Sequence, residues 1–178
     1  MTDDANIQLW LAAHGADMIT HPGGTLLDHL NRVAARLADW NAPNDLRLAG
    51  LCHATYGTDG FATALLTPDE RPQLAELIGS RAENYVYLYG SCTRSSLYPQ
   101  LAGGEPITVA DRFTGSTHHL TDADTRALLE ITAANEIDVM LHNEDLARLH
   151  AGPLYELLAG ARHLLSDAAW ADCAMLHT

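Results

Sequence analysis

Lysine is missing from this chain of 178 residues: all ten basic residues are Arg, set against 23 Asp and Glu, for a formal net charge of -13. A chain this acidic repels phosphate backbones and anionic headgroups, so no nucleic-acid and no membrane partner is expected. Without Lys there is neither Schiff-base chemistry nor a P-loop lysine. Cysteine is scarce, and Cys52, Cys92 and Cys173 stand at unrelated spacings, which argues against a disulfide framework or thiolate metal knuckle and for buried thiols. No apolar run approaches the ~20 residues of a membrane span. The acidic start Met1-Thr2-Asp3-Asp4 does not read as a secretory signal, so a cytoplasmic protein is expected. Repeats, low-complexity tracts and Pro/Ser-rich linkers are also lacking. Residues 1–178 are therefore expected to form one domain, and 47% hydrophobic content suffices for one core.

What is present is mostly helical patterning. A first helix is expected from about Asp4 to His14, stopped by Gly15. After the His21-Pro22-Gly23-Gly24 turn, Thr25 and Asp28 have capping-box spacing and open a helix to about Trp40, with Leu26, Leu30, Val33 and Leu37 as its apolar stripe. A third helix is predicted from Pro43-Asn44-Asp45 to about Tyr56-Gly57. A fourth starts at Arg71 or Pro72, and Gly79 divides it from a piece that Ser80 and Glu83 cap. Residues 90–106 read as a loop, and Ile107–Ala110 with Thr117–Leu120 as a small β-hairpin. Thr121 and Asp124 then cap a long helix to about Leu149, closed by Gly152-Pro153, before a last helix over 154–171. About six helices and one hairpin make an all-α bundle.

Ten histidines are many for such a chain, and His14, His150, His163 and His177 read as surface polar residues. His29, on the edge of the second helix's stripe, and His53 face inward. On the long helix Leu128, Ile131, Asn135, Asp138 and His142 follow steps of three and four and share one face. Two imidazoles and a carboxylate form the facial set that holds Fe(II) with open positions. The structural alternatives are hydrogen-bonded core histidines and an Asp138–His142 ion pair worth a few tenths of a kcal/mol. Tyr56 follows His53 by three residues and shares its face if the helix continues; its alternative role is a core aromatic.

The run His21-Pro22-Gly23-Gly24-Thr25-Leu26-Leu27-Asp28-His29-Leu30, followed by Leu48-Ala49-Gly50-Leu51-Cys52-His53-Ala54, resembles the opening of an HD-superfamily protein. The resemblance extends over roughly Thr20 to Asp145. It includes His53-Ala54-Thr55-Tyr56-Gly57-Thr58 and the hairpin residues Arg112 to Gly115, which are similar to an HD-like subfamily. It implies an HD-domain-like helical bundle with a metal site, used for phosphate-ester hydrolysis or oxidative cleavage. His29 and His53 match the family's pattern. Ala54 stands where the family has the Asp that bridges two metals, and Asn135 where it has its late Asp. A single metal is therefore expected, with Asp138 as substitute ligand and His142 available to complete the set.

Three functions compete. The first is a mononuclear Fe(II) enzyme acting oxidatively on a neutral or cationic small molecule, with His29, His53, Asp138 and His142 as ligands. The second is a hydrolase or lyase on the same scaffold, with or without metal. It would use His53 or Asp138 as base, Tyr56 as proton donor, Arg112 as anion clamp and Asn135 facing the substrate. The third is a non-catalytic binding module. Phosphohydrolysis fits least, because a polyanion would be handled without Lys and without the bridging Asp, although Arg94, Arg112 and Arg126 offer a possible clamp.

Overall fold

The computed structural model describes residues 3–103 and 106–177, without the side chains of Asp3 and His177. The Met1-Thr2 start, the Gly104-Glu105 part of the expected 90–106 loop and the surface reading of His177 lie outside the described residues. The chain is mostly helical. In order it forms α1 (Asp3–Ala13), α2 (Leu26–Asp39), α3 (Asn44–Cys52), α4 (Arg71–Ile78), α5 (Ser80–Ser91), α6 (Arg94–Leu97), α7 (Asp122–Leu141), α8 (Glu144–Gly160) and α9 (Asp167–Cys173). Two antiparallel hairpins pair β1 (Thr20–His21) with β2 (Gly24–Thr25) and β3 (Thr108–Ala110) with β4 (Thr117–His119).

Two capping boxes act as their spacing predicts. Thr25 accepts from the Asp28 N–H while Asp28 accepts from Thr25, and Thr121 and Asp124 do the same at the start of α7. Each cap satisfies helix donors that otherwise have no partner and is worth about 1 kcal/mol. The twenty-residue α7 is the central element: Leu128, Leu129, Ile131, Ala133, Ala134 and Ile137 are all buried, so it is apolar nearly all round, as a core helix should be. Helices α2, α3, α5, α8 and α9 pack around it, and one continuous apolar cluster runs through them.

Several boundaries differ from the sequence expectation. Helix α3 ends at Cys52 rather than near Tyr56: His53 is its C-cap, and Gly57 turns the chain at φ 67°. The long helix breaks at His142–Asn143, where extended Asn143 caps a new helix by accepting from the Leu146 N–H, with Glu144 and Asp145 in the first turn. Gly152-Pro153 consequently falls inside α8 instead of closing its predecessor. The stretch expected to be a loop from residue 90 carries α6 and a 3-10 turn, Tyr98–Gln100. Glu83 makes no cap for α5, because its carboxylate is drawn into an ion pair with Arg71. The His21–Gly24 turn is the tip of a hairpin that the sequence reading did not include.

Candidate functional site

Helix α2 presents His29, the C-cap of α3 presents His53, and α7 presents Asn135 and Asp138; all four are buried. Each imidazole is held by its Nδ1. His29 Nδ1 lies 2.6 Å from Asp138 Oδ2, and His53 Nδ1 lies 2.8 Å from the Gly50 carbonyl oxygen. Carboxylates and carbonyls only accept, so both Nδ1 atoms carry the proton and donate. A neutral imidazole has a single N–H, which leaves each Nε2 as a bare lone pair. Both lone pairs point at one atom, Asn135 Oδ1, at 3.0 Å from His29 Nε2 and 3.2 Å from His53 Nε2. That oxygen is an acceptor too. The amide is oriented by its Nδ2, which donates to Glu136 Oε1 at 3.2 Å. Turning it over would bring its oxygen against that carboxylate.

Protonating the His53 ring offers no easy escape. Burial pushes His53 down to about 3, so it is neutral at neutral pH. Asp138 already receives two hydrogen bonds from the Arg32 guanidinium, at 2.7 and 2.9 Å. Burial by itself raises the Asp138 carboxyl, but hydrogen bonds from His29 and then Arg32 outweigh it and hold the group at about 2. Arg32 also donates to the carbonyls of Pro22 and Gly23, which fastens the hairpin tip over the cluster.

That tip brings in a residue the sequence analysis took for part of a turn. His21 stacks on His29 with ring centroids 4.1 Å apart, meets Phe61 edge-on at 5.4 Å, and its Nδ1 is buried without a hydrogen-bond partner. Burial lowers it to about 4, so it is a free base at neutral pH. His21 and Asn135 form part of the wall of a cavity of about 600 Å³. Glu136, Arg94, Tyr98 and Thr58 continue its polar side, and residues of α7 and α8 form an apolar one.

Of the other expected site residues, Asp138 holds the Nδ1 edge of His29, opposite the converging nitrogens, and is placed to orient that ring. His142 spends its Nδ1 on the Asp138 carbonyl at 2.8 Å and packs over Gly23, where a Cβ would come within 2.5 Å of its ring. Tyr56 turns away because α3 has ended: its hydroxyl donates to Glu83 Oε1 at 3.0 Å, and burial followed by Glu83 pushes its ionisation far up. Arg112 clamps backbone, donating to the Gly90 carbonyl at 2.6 Å and the Tyr56 carbonyl at 3.3 Å. Arg94 lines the cavity whereas Arg126 lines a separate groove, so the three arginines form no common clamp. Glu136 and Tyr98 were not anticipated, although a carboxylate adjoining Asn135 on α7 was a readable signal.

Among the described residues, no group of three or more His, Cys, Asp or Glu side chains is arranged to hold a metal ion, so the converging donors are two imidazoles and an amide. Nor is any described helix long and apolar enough to cross a membrane. A family model described as a domain of unknown function, DUF6817, matches residues 10–94. That span contains His21, His29 and His53 and stops before Asn135 and α8. Among curated proteins and among solved structures, none matches the chain.

Proposed function

We propose that this chain is a small-molecule enzyme that works with one divalent cation held by His29 Nε2, His53 Nε2 and Asn135 Oδ1. The observation that carries the reading is the convergence of His29 Nε2 and His53 Nε2 on Asn135 Oδ1, at 3.0 and 3.2 Å. Nitrogens and oxygens that bind one ion at about 2.1 Å each stand about 3 Å apart, so the donor set fits. The Asp138–His29 pair is the carboxylate–histidine arrangement that fixes a ligating imidazole and raises its basicity. The similarity of the His29 and His53 segments to the HD superfamily supports the same assignment, and Ala54 leaves no bridging carboxylate for a second ion.

When bound, such an ion supplies Lewis-acid polarisation of a substrate oxygen or an activated water. The chain's own residues supply the rest. His21 lines the cavity as a free base, Tyr98 can donate one hydrogen bond, and Arg94 with Glu136 orients a polar group. No carboxylate joins the donor set, which favours hydrolytic or lyase chemistry over an Fe(II) facial triad. The oxidative reading keeps its support from the two imidazoles.

Equilibrium dialysis against Fe(II), Mn(II) and Zn(II) separately tests the proposal. One equivalent of at least one ion is expected, lost in His53→Ala. Uptake should be retained but weakened about 10- to 100-fold in Asp138→Asn, which still accepts from His29 Nδ1. Uptake of none of the three ions would retire the metal and leave acid–base catalysis by His21 as the better account. Complete loss in Asp138→Asn with an unchanged fold would instead make Asp138 a ligand.

A further inference from the structure

The cavity of about 600 Å³ lies within the size range of small-molecule sites, and its two sides differ in character. Helix α8 contributes Leu146, His150, Pro153, Leu154 and Leu157, a mostly apolar face interrupted by His150, opposite Val139 and Met140 of α7. Only Leu154 and Leu158 of α8 are fully buried, so Leu146 and Leu157 hold apolar surface still open to a ligand. On the polar side Arg94 donates through Nη2 to Glu136 Oε1, which also accepts from Asn135. Among the described residues, Arg94 Nη1 and Glu136 Oε2 have no hydrogen-bond partner. A donor residue and an acceptor residue thus remain open to a ligand, as a pair whose charges cancel. Burial keeps the Tyr98 phenol protonated, pushed up to about 12, so it adds a second donor.

We infer that this cavity receives an uncharged amphiphile, with an aliphatic chain along α8 and a head group that both donates and accepts hydrogen bonds against the Arg94–Glu136 pair. A carboxylate head would bring a second negative charge to Glu136, and an ammonium head a second positive charge to Arg94. Either leaves a net charge in a partly buried place, where an unpaired ion is costly. An amide or alcohol uses the free donor and the free acceptor without disturbing the pair. The inference names the substrate class of the proposed enzyme and so rests on reading this cavity as its substrate chamber.

Calorimetric titration of chelator-treated protein with octanamide, octanoate and octylammonium tests it. Octanamide should bind once per chain and at least about tenfold tighter than either ion, because either ion leaves one charge unpaired. Affinity should rise up to about fourfold for each methylene from butanamide to octanamide. Glu136→Gln frees Arg94 and should shift the preference to octanoate, while Arg94→Gln should shift it to octylammonium. Leu157→Gln should weaken octanamide binding and leave the head-group order intact. No binding of octanamide, equal binding of the three heads, or an unchanged order in both charge variants would each overturn the inference. Metal uptake is measured separately: one equivalent of metal without octanamide binding sinks only this inference, and octanamide binding without metal uptake sinks only the metal.

Discussion

Around Glu83 donors meet acceptors, whereas around Asn135 acceptors meet one another. Glu83 takes Arg71 Nε at 2.7 Å, Arg71 Nη2 at 2.8 Å and the Tyr56 hydroxyl at 3.0 Å. The Arg71 guanidinium lies 3.7 Å over the Tyr87 ring, and the Tyr87 hydroxyl donates to Asp111 Oδ2 at 2.6 Å. Asp111 also accepts from the Phe113 and Thr114 N–H groups and meets His118 Nε2 at 2.8 Å, so the network ties α4 and α5 to the second hairpin. A matched buried network gives a single packing arrangement. A buried set of facing lone pairs costs stability and persists where something else satisfies it. The first assembly is architecture, and the second is where we propose that a cation binds.

The largest way to break this contrast is in the matched network. Arg71→Ala strips Glu83, 4% exposed, of its charge partner. It should cost about 3–5 kcal/mol in denaturant unfolding. A loss under 1 kcal/mol would mean that the network does not hold the fold together.

Acid separates the two assemblies by pH window. His53 has a folded value of about 3 against an ordinary 6.5. Between those values the unfolded chain binds a proton that the folded chain refuses, so stability falls as pH falls through that window. His53 should contribute up to about 1.4 kcal/mol per pH unit in metal-free protein, His21 a similar amount down to its own value of about 4, and His53→Gln should remove the first part of the slope. Asp111 behaves as a lowered carboxyl: burial raises it, but hydrogen bonds from Tyr87 and His118 lower it more. Its contribution is present above the ordinary 3.8 and is lost only below that pH. A flat wild-type curve between pH 6 and 4 would contradict the neutral, buried His53.

The smallest effect is expected at Asn135. Asn135→Leu removes the facing oxygen in similar volume, so metal-free stability should change by less than about 1 kcal/mol in either direction. Metal uptake should disappear. A destabilisation of 3 kcal/mol would show the amide to be a satisfied structural partner.

These contrasts also explain what was legible in the sequence. The Thr25–Asp28 and Thr121–Asp124 boxes and the hairpin after Pro106 were readable because local chemistry fixes them. Periodicity identified the α7 face that carries Asn135 and Asp138. It carries no information about ring edges, and only the fold determines that Asp138 meets Nδ1 of His29 while Asn135 meets Nε2. His21 escaped because a two-residue strand is too short to show alternation, and its partner across the ring stack is eight positions away. Tyr56 was misdirected by one assumption, that α3 runs past Cys52. The break at Asn143 had a local signal, an N-cap residue before two acids, which the strong apolar pattern continuing past it obscured.

The central claim is that His29 and His53 offer bare Nε2 atoms to one cation. Nitrogen-resolved NMR of the histidine rings during a Zn(II) titration tests it most directly. The account predicts Nδ1–H tautomers for both rings before metal, then a joint shift of the two Nε2 signals that saturates at one equivalent. Protonated Nε2 atoms in the metal-free protein, or Nε2 signals unmoved by Zn(II), would contradict it.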